Sequence, residues 1–265
     1  MFQSCWRSQR ICLVSMAAAA APVIVLTGFG KFNGVEDNPS TRIVERLRQE
    51  HGSFLSEVGI ETEILEVSVQ GCEEQLYAKY CSGGSADKQL CFVHLGVNGR
   101  IDRFNFESAG YNNMTFRCAD ERAYSPQEEK ISPARDFDEP LSTTFPLAAI
   151  AERVQAELGG VITVHSTDAP AAAAAGEGVF APSDGSSSSA PQSSCNICDI
   201  STDPGRFLCN YVYYRSLLHQ ELHGLPRGTR QSVFVHVPPE ERIAIADQVK
   251  VVLLMLKLLI ESLQL

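Results

Sequence analysis

Short β-branched apolar runs separated by amphipathic stretches recur from Val23 onward, and this alternation limits the available folds more than any other feature of the chain. Val23 to Thr27 is such a run, closed by Gly28, Phe29 and Gly30, the pattern of a buried strand feeding a loop. Asn38-Pro39-Ser40 predicts a helix start, with Asn as cap and Pro at the first helical position, ahead of Ile43, Val44 and Leu47. Ile60 to Val69 alternates apolar and polar residues, and Leu90 to Leu95 reads as a second buried strand. Gly96 to Ser142 holds no sustained period and reads as a long loop with a hairpin, of the kind that is usually functional in compact domains. Leu147, Ile150, Val154 and Leu158 then recur at helical spacing, and Gly159-Gly160 ends that helix. A strand at Asn196 to Ser201, a helix at Leu208 to Leu222, a strand at Ser232 to Val237 and a helix from about Glu241 complete the pattern. Such alternation implies right-handed crossovers and a largely parallel sheet with helices on both faces. The expected fold is a single-domain, three-layer α/β/α sandwich over residues 23–265.

Two segments stand outside that pattern. Residues 1–22, with Arg7, Arg10 and a run of alanines, read as a disordered N-terminal extension, with targeting as the weaker alternative. At about 166–195 the chain collapses into Ala, Ser, Gly and Pro, a composition that cannot offset its ordering entropy by burial and reads as an insertion within one domain. The net charge is 22 − 32 = −10, which argues against a nucleic-acid or anionic-membrane partner. The apolar run Val251 to Ile260 is broken by Lys257 and falls short of the roughly 20 residues of a membrane span. Nine irregularly spaced cysteines do not form a secreted disulfide framework, so a reducing, cytoplasmic setting is expected.

Three places carry chemistry. Cys209, after Asp203-Pro204-Gly205-Arg206-Phe207-Leu208, falls in the first turn of a helix, where the macrodipole and unpaired N–H groups favour a thiolate; position alone leaves open a small buried hydrophobe. His236, near the carboxyl end of a strand, points toward the crevice where open α/β sheets bind ligands, or else is a hydrogen-bonded core histidine. Within reach of each other, the two would make an activated nucleophile and base. Gly28 to Gly34 lies where phosphate loops lie, yet its spacing is neither a dinucleotide fingerprint nor a P-loop. Phe29 and Phe32 would instead wall a small ring. Glu107, read on the loop after the third strand, is the carboxylate best placed to orient an imidazole. Cys195 and Cys198 form a lone CxxC with no second pair at zinc spacing, which reads as structural or incidental.

These residues are similar to the signatures of the pyroglutamyl peptidase type I family of cysteine peptidases. The stretch from Thr27 to Ser40 resembles its TGFGPFGGVxxNPS opening. Val93-His94-Leu95-Gly96-Val97 resembles VHVGV, Asp203 to Tyr211 resembles DAGRYLCNY, and Phe234 to Pro238 matches FVHVP, all in family order. The resemblance implies an exopeptidase that removes N-terminal pyroglutamyl residues from small peptides without metal or organic cofactor. It implies Cys209 as nucleophile, His236 as base and Glu107 as the orienting acid. It places Phe29, Phe32, Phe207 and Leu208 around the ring, Asn38 in support of the loop, and Arg117 near the oxyanion. Lys31, Asn33, Ser68 and Pro204 depart from the family pattern, and none is a triad member. Family members include homo-oligomers and monomers, so a homo-oligomer is one expectation. The alternatives are a thiol hydrolase of another cyclic amide or N-terminal acyl group, and a non-catalytic binder of blocked peptides.

Overall fold

The computed structural model describes residues 23–32, 34, 36–81, 90–165, 196–223 and 229–263. The extension at 1–22 and the insertion at about 166–195 lie outside the described residues. Strand β1 (Val23–Phe29) leads to α1 (Pro39–Glu57), β2 (Ile60–Leu65), α2 (Val69–Cys81) and β3 (Leu90–Val97). Then come β4 (Phe104–Glu107), β5 (Ala109–Tyr111), β6 (Pro140–Ser142) and α3 (Leu147–Leu158). The chain continues through β7 (Cys198–Ser201), α4 (Leu208–His223), β8 (Val233–Val237) and α5 (Ile245–Leu263).

Six strands form one sheet in the order β2-β1-β3-β8-β4-β7, and β5 and β6 form a separate antiparallel pair. The main sheet is parallel except where β4 runs antiparallel to β8. Successive side chains on a strand face opposite sides, and the core divides accordingly. Ile24, Leu26, Val93, Leu95 and Val235 pack with residues of α1, α3 and α5. Val25, Phe92 and Phe234 pack with residues of α2 and α4. Three layers result, as the alternation predicts. Among the described residues no helix is long and apolar enough to cross a membrane.

The local signals at α1 are realised directly. Asn38 is the N-cap, its Oδ1 accepting from the Ser40 N–H at 3.1 Å, and Pro39 opens the helix. The helix approaches β1 so closely that a Cβ on Gly28 would lie 2.6 Å from the Ser40 carbonyl oxygen, which excludes a side chain there.

Three expectations need correction. Val69–Cys81 is a helix, where the reading ended a strand at Val69 and passed directly to the next. Only Gly71, Cys72 and Leu76 are buried on it, too thin a stripe to set a period. Its start was nevertheless written in Ser68, whose Oγ accepts from the Gly71 N–H at 2.9 Å. The Gly96 to Ser142 stretch contains β4, a member of the main sheet, as well as the β5–β6 pair. Phe104-Asn105-Phe106-Glu107 alternates, but over only four residues, and β4 owes its state to neighbours on both sides. Finally, α5 begins at Ile245 rather than near Glu241, because turns anchored on the Pro239 carbonyl occupy the approach.

His94, on β3, is fully buried in this scaffold, with Nδ1 2.7 Å from Thr27 Oγ1 and Nε2 2.8 Å from Ser216 Oγ. Burial pushes its pKa down to about 3. An unfolded histidine titrates near 6.5, so the folded state binds fewer protons between those values. The contribution is therefore present above pH 6.5 and lost as pH falls toward 3. By pH 5 the loss from this one group should be about 2 kcal/mol. Urea unfolding at pH 8 and pH 5 checks this: the parent should lose more stability on acidification than His94→Gln, and equal losses would refute it.

Candidate active site

The reversed direction of β4 brings Glu107 beside Phe234 of β8, with Asn105 opposite His236. On the other flank Gly96 of β3 is in register with His236. Phe234 and His236 are two apart on one strand and so face the same side, the side covered by α4. Diagonal neighbours across a strand pair are within reach of long side chains, and His236 Nδ1 stands 2.7 Å from Glu107 Oε1. Glu107 is thus on a strand end rather than the loop that sequence reasoning assigned it to. Both groups are nearly inaccessible, at 1% for Glu107 and 5% for His236.

Cys209 is the second residue of α4 and is partly exposed. The absence of a side chain at Gly96 makes its place: a Cβ there would fall 3.2 Å from Cys209 Sγ and 2.6 Å from Phe234 Cζ. Sulfur and imidazole therefore occupy neighbouring positions over adjacent strands. Burial, the largest influence on His236, pushes its pKa down. Hydrogen bonds to Cys209 and Glu107, together with their charges, outweigh it and raise the value to about 9. The imidazolium is accordingly the favoured form at neutral pH. An imidazolium between a sulfur and a carboxylate is the arrangement that activates a thiol.

The residues expected around a ring divide into two groups. Phe32 and Phe207 meet with centroids 5.3 Å apart, and Phe116 joins Phe207 at 4.5 Å. Phe116 was missed; it sits in a stretch without period, beside Arg117, and only tertiary packing reveals it. The Arg117 guanidinium lies 5.8 Å from the Phe207 ring centroid on the exposed side of this cluster. Phe29 and Leu208 are buried instead in the core under α2 and α4, where Phe29 packs 6.4 Å from Phe234. Asn38 reaches back to the glycine loop, its Nδ2 donating to the Gly30 carbonyl at 3.1 Å. Of the CxxC, Cys195 lies outside the described residues. Cys198 is buried on β7, its thiol pushed up to about 12 by burial and then by the Asp199 charge.

No family model matches the chain. It is similar to pyroglutamyl-peptidase 1 of Rattus norvegicus, 26% identical over 226 residues that cover 85% of this chain and 83% of the relative. It is also similar to the pyrrolidone-carboxylate peptidase of Fusobacterium nucleatum, 27% identical over 234 residues, 84% of this chain and 82% of the relative. Among solved structures, the pyrrolidone carboxyl peptidase of Fervidobacterium islandicum AW-1 superposes with a TM-score of 0.68 at 23% identity. That match covers 91% of this chain and 99% of the other. The enzyme from Thermus thermophilus gives a TM-score of 0.63 at 21% identity over 89% of this chain and 99% of that one. The motif resemblance thus extends to similarity over most of the chain, and the fold is shared.

Because Gly96 leaves no room for even a methyl group, Gly96→Ala must displace Phe234 or the Cys209 sulfur. Overpacking of this kind costs roughly 1–3 kcal/mol, and disturbing the sulfur–imidazole contact should slow alkylation of Cys209 by iodoacetamide. Thermal melts and mass-spectrometric alkylation rates measure both effects; parent-like values for the two would show that the site tolerates the added carbon.

Proposed function

We propose that the chain is a cysteine exopeptidase that hydrolyses the bond after an N-terminal pyroglutamyl residue in small peptides. The observation that carries the reading is the buried Glu107–His236 contact with Cys209 beside it over Gly96. Similarity to proteins named pyroglutamyl-peptidase and pyrrolidone-carboxylate peptidase supplies the substrate class.

In this reading the Cys209 thiolate attacks the pyroglutamyl carbonyl carbon. The sulfur–carbon bond forms as the peptide carbon–nitrogen bond breaks, and His236 gives its proton to the departing amine. Water then attacks the thioester while neutral His236 takes up a proton, which releases free pyroglutamate and restores the thiolate and imidazolium. Glu107 holds the imidazole by Nδ1, so that Nε2 is the nitrogen turned to the reaction. The first-turn N–H groups of α4, which have no intrahelical partners, are the donors available to the developing oxyanion. Phe32, Phe207 and Phe116 supply flat apolar surface for the ring methylenes, and Arg117 lies at the rim of that surface.

The ring lactam separates this activity from neighbouring ones. A site that hydrogen-bonds the lactam carbonyl rejects proline, which lacks it, by roughly 10⁴-fold, whereas an apolar pocket alone yields only about 10- to 200-fold. Fluorogenic pyroglutamyl, prolyl and glutamyl amides test the proposal. The first should be cleaved with kcat/KM far above the others, and Cys209→Ser should abolish turnover by several orders of magnitude. No cleavage of the pyroglutamyl amide by the parent, or near-parent activity in a folded Cys209→Ser protein, sinks the reading.

The charge state of His236 sets a pH limit. Since its pKa is raised to about 9, kcat/KM should fall as pH rises through that value and the imidazolium is lost. Glu107→Gln removes one of the groups that raise it, so the alkaline limb should move to lower pH and kcat should drop. A limb that stays in place in Glu107→Gln would assign it to another group.

A further inference from the structure

Helix α4 carries a second group with a bearing on the site. Residues four apart on a helix share a face, and one turn beyond Cys209 on this helix stands Tyr213, which is completely buried. Its phenolic O–H donates to the backbone carbonyl oxygen of Glu107 at 2.7 Å. Burial, and then the charge of Glu107, raise the phenol's pKa well above its ordinary value, so the donor keeps its proton.

The Glu107 carboxylate itself is held lightly. Its Oε1 meets His236 Nδ1, while among the described residues its buried Oε2 has no hydrogen-bond partner. The placement of that carboxylate therefore follows the placement of its backbone, at the last residue of β4 where the chain leaves the sheet. The same helix grips the residues that follow. Asn210 Oδ1 accepts from the Tyr111 N–H at 2.7 Å, and Asn210 Nδ2 donates to the carbonyls of Tyr111 and Asn113 at 2.8 and 2.9 Å.

We infer that Tyr213 is a positioning residue for the reaction: by holding the Glu107 carbonyl to the helix that bears Cys209, it sets the spacing that one imidazole must bridge. The kinetic part of this inference rests on the peptidase reading above; the geometric part does not. Tyr214 provides the contrast, since it is also buried on α4 but its hydroxyl has no hydrogen-bond partner among the described residues.

Tyr213→Phe keeps the ring and deletes the donor. On a pyroglutamyl amide, kcat should fall roughly 10- to 100-fold, as for small misplacements of reacting groups, with KM nearly unchanged. The alkaline limb of kcat/KM should move to lower pH, in the direction of Glu107→Gln. Because the two residues act through one group, Tyr213→Phe added to Glu107→Gln should cost little more than Glu107→Gln alone. Tyr214→Phe should keep parent activity. The His236 ring titration, followed by NMR in histidine-labelled protein, needs no substrate and should show a lowered midpoint in Tyr213→Phe. Parent-like kcat and titration in a folded Tyr213→Phe protein, or losses that simply add to those of Glu107→Gln, overturn the inference. Should Tyr213→Phe prove poorly folded, Tyr213→Met, which fills the space with an adaptable apolar chain and lacks the donor, must show the same shift or the inference fails. A shifted titration in a protein that never cleaves the pyroglutamyl amide would overturn the peptidase reading alone.

Discussion

The site depends on a carboxylate and an imidazole buried against each other between β4 and β8. Either charge alone in that position would be costly to desolvate, so each makes the other's burial tolerable. The contact exists because β4, with its parallel neighbour β7, runs against the direction of β8. Reversal puts the carboxyl end of β4 beside Phe234, near the start of β8, and Glu107 arrives two residue pairs away from His236, on the same face. Phe234 packs beside both, in register with Glu107 and with its ring centroid 4.8 Å from that of His236.

Two histidines on the same side of the sheet show how environment divides one side chain into two behaviours. His94 is held between two neutral hydroxyls, and burial alone acts on its charge. His236 suffers the same burial but faces a sulfur and a carboxylate, and its charge is kept. The first stiffens the join between β1, β3 and α4. In the proposed reaction the second is the one that exchanges a proton with the substrate, its charged form being stabilised by the sulfur and the carboxylate beside it.

Much of this was legible in the residues, for reasons that differ from place to place. Asn38-Pro39 marks α1 because capping is local chemistry, and the approach to α4 is marked by a local turn in which Asp203 Oδ1 accepts from the Gly205 N–H. The motifs around Cys209 and His236 are contiguous, so they stand out in a linear reading. Glu107 was found, yet its setting was not, since a four-residue strand is defined by partners far away in the chain. The helix α2 is hard to read because few of its residues are fully buried, so its start is marked mainly by Ser68. Tyr213 and Phe116 belong to no local pattern. Their meaning lies in what they touch across the fold, a carbonyl on β4 and a ring in the turn before α4.

The sheet order has a consequence for how the site is put together. The last strand in the sequence, β8, lies between β3 and β4. Without it, among the described residues, β2, β1 and β3 make one slab and β4 and β7 another, with no strand pairing between them. The imidazole is thus carried by the one strand that joins the two slabs, while α4 carries the thiol and, through Tyr213 and Asn210, holds the chain at the carboxylate and just beyond it. The sulfur, the imidazole and the carboxylate have their mutual spacing only in the whole sheet.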